Sequence, residues 1–339
     1  MRTGMDITVI IPTYNRSAKL ETQFKSLLKQ DLDPKRWSII YVNDGSTDDS
    51  SKILTKFAEE ANGRGIKTEI VFQKNAGQAA ARNHGAQKAS GRVFLFIDDD
   101  MEIKDTDFVR LHLADHDKPG TVVYGTSLPG REERYRPPHE LMFEWMINRN
   151  YQAFISGEMK PDGRHFFTAN VSVCGELFTK SGGFDQNFAH AEDKELGVRL
   201  EAHHNAQFKY CPRAEAYHNS GTPSFASFMN RAELYGGFDQ KIEGLYPNYP
   251  NLSPMRFLSS RSNASKSLMR FIVRYNAFAI GASKILPATA TGLHKLGVKG
   301  ISTSICKILF KIHYVKGLSK KFSSSTEFLN AFENFAEAQ

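Results

Sequence analysis

Through the first 125 residues, short β-branched and aromatic runs alternate with stretches whose apolar positions recur every three or four residues. Strands are predicted at 7–11, 38–42, 68–72, 93–97 and 121–124. Several are apolar almost throughout, the pattern of strands buried on both faces of a parallel sheet. Between the first two, Leu20, Phe24, Leu27 and Leu28 share one helix face. Between the second and third, Ile53, Leu54, Phe57 and Ala58 do the same, behind a Ser46-Thr47-Asp48 cap region. A third helix, 78–89, is built on alanine, which suits close packing on a sheet. This βαβαβ rhythm predicts an α/β domain with a doubly wound, mostly parallel sheet flanked by helices. Ligands of such domains bind beyond the carboxyl ends of the strands.

The rhythm breaks at 126–170, a long excursion with one short helix expected around 141–147. It returns as a strand at 166–174 and a helix at 192–202, with Asn205 placed to supply a left-handed C-terminal residue. After His218 the patterns are helical and broken by a link containing Pro247, Pro250 and Pro254. Ile301, Ile305, Ile308, Ile312 and Val315 fall on one helix face. The expected organisation is a domain at 1–223, in halves of about 1–125 and 126–223, followed by a basic, mainly helical region at 224–339.

Charge marks the same division. The 339 residues carry a formal charge of +7, but 244–326 holds 13 Lys/Arg and no Asp or Glu. Residues 1–243 sum to −3 and the tail from Glu327 to −3. A mildly acidic body is the wrong sign for a phosphate-coating surface, so no nucleic-acid partner is expected. The basic helix at 301–318 has two readings, docking on an anionic membrane or packing its Ile face within a bundle. Cys174, Cys211 and Cys306 are scattered, which argues against a disulfide framework and fits a reducing compartment. No uncharged apolar stretch approaches the roughly 18–20 residues needed to span a bilayer. A cytoplasmic protein is expected, with peripheral contact at the inner face of the membrane left open.

The most informative residues are Asp98-Asp99-Asp100, directly after the apolar run 93–97. Adjacent carboxylates repel one another, so a fold that gathers them at a strand end usually supplies a hard divalent cation; the alternative is a solvated acidic turn. Asn43-Asp44-Gly45-Ser46-Thr47-Asp48 and Pro12-Thr13-Tyr14-Asn15-Arg16 end two other strands on the same edge. Three polar loops on one edge make a site. There is no P-loop and no dinucleotide fingerprint after the first strand, and the run from Asp98 lacks an EF-hand glycine.

In order, PTYNR (12–16), NDGSTD (43–48), NAGQAAARN (75–83), FLFIDDD (94–100), SGGFD (181–185) and AEDKELGVRL (191–200) resemble glycosyltransferase family 2 over roughly 6–220. The resemblance implies a GT-A fold and sugar transfer from a nucleotide diphosphate donor, usually with inversion. It places Tyr14 against the nucleobase, with Pro12 and Thr13 shaping that pocket. Asp44 would accept from the base edge, most naturally uracil N3–H, which favours a UDP-sugar. Arg82, Asn83 and Asn170 would lie near the donor. Asp98 would face the nucleoside and, with Asp100, be available to Mn²⁺ or Mg²⁺, with Asp99 between them. His218 is either a further metal ligand or a hydrogen-bonded structural residue.

Asp193 is the expected catalytic base, and Glu192 beside it could share the role; both open a helix, where carboxylates are also favoured electrostatically. Trp145, Tyr151, Arg131, Arg134 and Arg136 either contact the acceptor or belong to an ordinary loop. The expected acceptor is a glycan, lipid-linked or polyanionic hydroxyl. Two other classes stand beside this one. A sugar-phosphate nucleotidyltransferase would carry a Gly-rich basic loop after the first strand, which Pro12–Arg16 is not. A nucleic-acid or membrane-surface adaptor would use 244–326 and need no donor.

Overall fold

The computed structural model describes residues 5–131, 135–219, 224–259 and 263–337. The strands are β1 (Ile7–Thr13), β2 (Trp37–Asn43), β3 (Lys67–Phe72), β4 (Val93–Ile97), β5 (Met101–Ile103), β6 (Thr121–Pro129), β7 (Asn170–Cys174) and β8 (Gln207–His218). The helices up to that point are α1 (Ser17–Leu27), α2 (Ser50–Gly63), α3 (Gln78–Lys88), α4 (Phe108–Ala114), α5 (Pro138–Ser156), α6 (Gly175–Lys180) and α7 (Glu192–His204). Then follow α8 (Phe225–Leu245), α9 (Met255–Leu258), α10 (Asn263–Arg274), α11 (Asn276–Ala282), α12 (Leu286–Lys295), α13 (Lys299–Ser319) and α14 (Ser325–Glu337).

Two compact units result, Met1–Glu133 with Asn150–Ser220, and Arg134–Arg149 with Gly221–Gln339. Among the described residues of the first, the strands form one sheet in the order β3-β2-β1-β4-β7-β6-β8-β5. The half from β3 to β4 is parallel, and β1, β2 and β4 are buried at every position, as their unbroken apolar runs require. The other half is mixed, with β7 antiparallel to β4 and β6, and β5 antiparallel to β8. Its long strand β8 keeps one face partly in solvent and so shows no continuous apolar run.

Register brings the polar loops together. Thr13 pairs with Asn43 at the ends of β1 and β2, so the loops after them emerge side by side. The Asp44 N–H donates to the Thr13 carbonyl at 2.8 Å, and Asn15 N–H to Ser46 Oγ at 3.0 Å. At the other end of the sheet Met101 pairs with His218, which sets His218 beside the aspartates. Asn205 closes α7 with φ 52°, the expected left-handed residue.

The excursion is more ordered than its pattern suggested. β6 continues to Pro129, and α5 is far longer than the turn or two expected at 141–147. Its apolar residues serve two cores, so no single stripe shows. Met142, Phe143 and Met146 belong to the core of the second unit, whereas Tyr151 stacks on Tyr210 of the first at 5.4 Å.

In the second unit α13 packs against α8, and its Ile face is part of that core. Ile312 and Val315 are buried, Ile305 and Ile308 lie against them, and Ile301 alone of the five stays exposed. The bundle packing that was one of the two readings of this helix is present. Contact with α8 is made through glycine: a Cβ on Gly317 would lie 2.0 Å from the Glu233 carbonyl oxygen. Gly317→Ala must therefore push the helices apart, at a cost of about 1–3 kcal/mol. A lowered denaturation midpoint in circular dichroism is expected; an unchanged midpoint would show the approach to be slack.

Candidate active site

The site grows from the end of β4. Below it, Tyr41 Oη donates to Gln23 Oε1 at 2.8 Å, and Gln23 Nε2 donates to the Asp98 carbonyl at 3.1 Å. These bonds from β2 and α1 fix the peptide that carries the three aspartates. Asp99 and Asp100 are buried, while Asp98 is partly open. Burial and the neighbouring Asp100 push the Asp99 carboxyl up to about 8, with Arg16 opposing. Arg16 lies 3.3 Å from Asp99 and 3.5 Å from Asp100. The Asp100 carboxylate also stands 3.3 Å from His218 Nε2.

Asp98, Asp100 and His218 each turn one ligand atom to a common point, all within 4.8 Å of one another. Two carboxylate oxygens and an imidazole nitrogen suit a hard or borderline divalent ion, so the donor set fits the Mn²⁺ or Mg²⁺ that the sequence implied.

Arg82 joins this acidic end to α7. Its side chain is 1% exposed, with one terminal nitrogen 2.8 Å from Asp98 Oδ1 and the other 2.9 Å from Glu192 Oε1. Glu192 is thereby committed to a buried ion pair. Asp193 is placed differently: its Oδ1 accepts only from the adjacent Lys194 N–H at 2.7 Å among the bonds described. Desolvation and the Glu192 charge raise its carboxyl above the usual range. Ala191, just before the pair, has φ 61°, an uncommon conformation for alanine that aims the start of α7.

The other expected residues divide. Tyr14 is 47% exposed at the mouth of the loops, and Thr13 is buried with its hydroxyl unpartnered among the described residues. Asp44 accepts from Gln73 Nε2 and from the N–H groups of Ala76 and Gly77, so it holds the 73–77 loop. Asn83, expected near the donor, is bonded within the fold. Its amide makes a two-point bond to the backbone of Phe184, at 2.8 and 2.9 Å, and pins the glycine turn. Gly183 there has φ 72°, and a Cβ would lie 2.5 Å from Asn83 Oδ1.

Asn170, expected near the donor, lies within the sheet. It is 3% exposed, donates to the Thr126 and Ala214 carbonyls, and accepts from His112 Nε2. Tyr151 is buried with its hydroxyl bonded to Ser127 N–H, so it is not a surface contact. Arg131 pairs with Glu102 and lies over Tyr217; Arg136 and Trp145 belong to the second unit, and Arg134 lies outside the described residues.

Beside Asp100 a cleft of about 290 Å³ is lined by Lys19, Gln23, Glu102, Arg131 and Asn219, among others. Arg16 and Lys19 had no assigned role in the sequence. Their signal was position: Arg16 closes the PTYNR motif, and Lys19 follows it by one helical turn.

The family model for glycosyl transferase family 2 matches residues 8–178. The chain belongs to that family. It is 30% identical over 224 residues to a validoxylamine A glucosyltransferase of Streptomyces hygroscopicus subsp. limoneus, a match covering 58% of this chain and 48% of that protein. The chain thus spans about half the length of that relative. Among solved structures it resembles a mannosyltransferase, PcManGT from Pyrobaculum calidifontis, in complex with GDP-Man and Mn²⁺. The TM-score is 0.63 at 18% identity, covering 93% of this chain and 87% of that one. Residues 1–349 of Staphylococcus aureus TarS superpose with a TM-score of 0.50 at 16% identity, over 94% and 92% of the two chains. The fold is therefore of the GT-A kind, as the resemblance implied. No described helix is long and apolar enough to cross a membrane.

Arg82 generates a stability prediction. Arg82→Met leaves two buried or half-buried carboxylates without their counter-charge, at a cost of about 3–5 kcal/mol. Adding Glu192→Gln to that variant should return part of the loss, read as a rise in the urea midpoint. An additive double variant would mean that Arg82 and Glu192 are not coupled.

Proposed function

We propose that the chain transfers a sugar from a nucleotide diphosphate donor, a UDP-sugar being favoured, to a hydroxyl of a glycan or lipid-linked acceptor with inversion. The observation that carries this reading is the convergence of Asp98, Asp100 and His218 at one end of Arg82, with Glu192 and Asp193 at the other. The GDP-Man and Mn²⁺ held by the mannosyltransferase of similar fold support a nucleotide-sugar and a divalent ion here.

Asp98, Asp100 and His218 would hold that ion, Mn²⁺ or Mg²⁺, which when bound stabilises negative charge on the departing diphosphate. Tyr14 offers its exposed ring to the base, with Pro12 and Thr13 behind it, and Asp44, which also holds the 73–77 loop, accepts from the base edge. Asp193 takes the proton from the acceptor hydroxyl as its oxygen bonds to the anomeric carbon. The bond from that carbon to the diphosphate oxygen breaks, and the nucleoside diphosphate leaves with the electron pair. Glu192, neutralised by Arg82, is poorly placed as a base and serves to position α7. A raised carboxyl suits the task, because a base with a pKa nearer the working pH abstracts a proton more effectively.

Asp193→Asn is expected to lower kcat by about 10²–10⁴-fold while donor binding, followed by calorimetry, survives. Near-normal transfer by that variant would overturn the assignment of the base. Asp193 must be ionised to act, so activity should fall with decreasing pH, at a pH above that of an ordinary carboxylate. A pH–rate profile flat down to about pH 4, the ordinary Asp range, would contradict the raised carboxyl. Chelation by EDTA should abolish transfer, with Mn²⁺ or Mg²⁺ restoring it in the native protein but not in Asp100→Asn.

A further inference from the structure

The second unit contains a cluster of cations that the transfer reaction does not use. Trp145 and Arg149 lie four residues apart on α5, and Lys307 and Lys311 four apart on α13, so each pair shares a helix face. Lys307 Nζ sits 3.5 Å from the centre of the Trp145 indole, and the Arg149 guanidinium 5.8 Å from the same ring. Lys311 follows one turn on, 5.9 Å from the Phe257 ring. None of the three cations has an acidic partner among the described residues.

Four carboxylates of α5 and α8 have other partners among the described residues. Glu140 and Glu144 pair with Arg136, Glu233 binds Lys316 and Lys320, and Asp239 accepts from the Tyr314 hydroxyl. The sequence supplies no Asp or Glu between 244 and 326 to replace them. An aromatic face attracts a cation, but it is shared here and carries no net charge. Burial and Arg149 hold the Lys307 ammonium below the usual lysine range, and burial and Lys307 do the same to Lys311. Three like charges gathered on a folded surface without a counter-ion are destabilising unless an anion joins them.

We propose that Arg149, Lys307 and Lys311, gathered beside Trp145 and Phe257, form a binding site for a phosphate group. Arg149 supplies a planar fork of donors that matches phosphate oxygens, and the two lysines supply compact charge. The phosphate can be that of a soluble ester or of a lipid headgroup. The site rests on contacts within the second unit and does not depend on the chemistry proposed for the first.

The test uses the full chain with EDTA present, so that divalent ions cannot recruit phosphate to the aspartates. Thermal unfolding is followed in inorganic phosphate and in chloride at matched ionic strength. Binding to vesicles of phosphatidylglycerol and of phosphatidylcholine is followed by flotation. Phosphate should raise the Tm of the native chain by a few degrees and leave that of Lys311→Met unchanged. Without phosphate, Lys311→Met should unfold at the same or a higher temperature than the native chain, because it relieves repulsion. Lys311→Arg, which keeps the charge, should retain the response, and Lys307→Gln should lose it independently. A phosphate response confined to the chains with all three cations identifies a soluble ester as sufficient. Binding to phosphatidylglycerol alone, lost in the same variants, identifies a headgroup. Absence of both responses in the native chain, or persistence of either in the variants, overturns the site.

Discussion

The first unit depends on one buried guanidinium. Arg82 is enclosed almost completely, yet it links Asp98 at the end of β4 to Glu192 at the start of α7. A cation in that position is costly to desolvate and is tolerated because two carboxylates surround it. The reciprocal holds for the acids. Asp98, Asp99, Asp100, Glu192 and Asp193 form a concentration of negative charge that would repel itself without Arg82 within and Arg16 at the rim. The next residue of α3, Asn83, clamps the backbone of Phe184, so one turn of helix orients both the acidic end and the glycine turn.

Electrostatic crowding is thus a shared device of the two units, with opposite sign. In the first, carboxylates converge on a point where oxygen and nitrogen ligands face a cation. In the second, lysines and an arginine lie beside aromatic rings with no acidic partner among the described residues. Neither arrangement is explained by packing alone, because apolar side chains of similar size would fill the same space without repulsion. The contrast with Glu233 is instructive: it pairs with Lys316 on α13 and with Lys320 just beyond its end.

Several side chains that invite a binding role also bond the backbone around them, for a common physical reason. Asn170, Asn83 and Asp44 are short polar groups at strand and helix ends, where backbone donors and acceptors are left without partners. Asn170 satisfies the carbonyls of Thr126 and Ala214 where β6 and β8 part at a bulge. Asp44 collects the N–H groups of the 73–77 loop, which no strand or helix uses. Their contribution to the site is to hold its walls.

The strands at β1, β2 and β4, the alanine-built helix α3, the polar loops after each strand and the aspartates at the edge were all legible in the sequence. Each follows from a local rule: unbroken apolar runs need two buried faces, small residues permit close approach, and strands that run parallel deliver their ends to one edge. Even Asn205 could be read, because few residues tolerate the left-handed turn that ends α7. The partners of those residues were not legible. Only the antiparallel register of β5 on β8 brings His218 to Asp100, across more than a hundred residues of chain. Only the approach of α3 to α7 decides that Arg82 pairs with Glu192. The Ile face of α13 was visible as a pattern, but that it meets a core of residues drawn from other helices appears only in the fold. Periodicity reports which face is apolar; what that face meets is set by long-range contacts, and those exist only once the chain has folded.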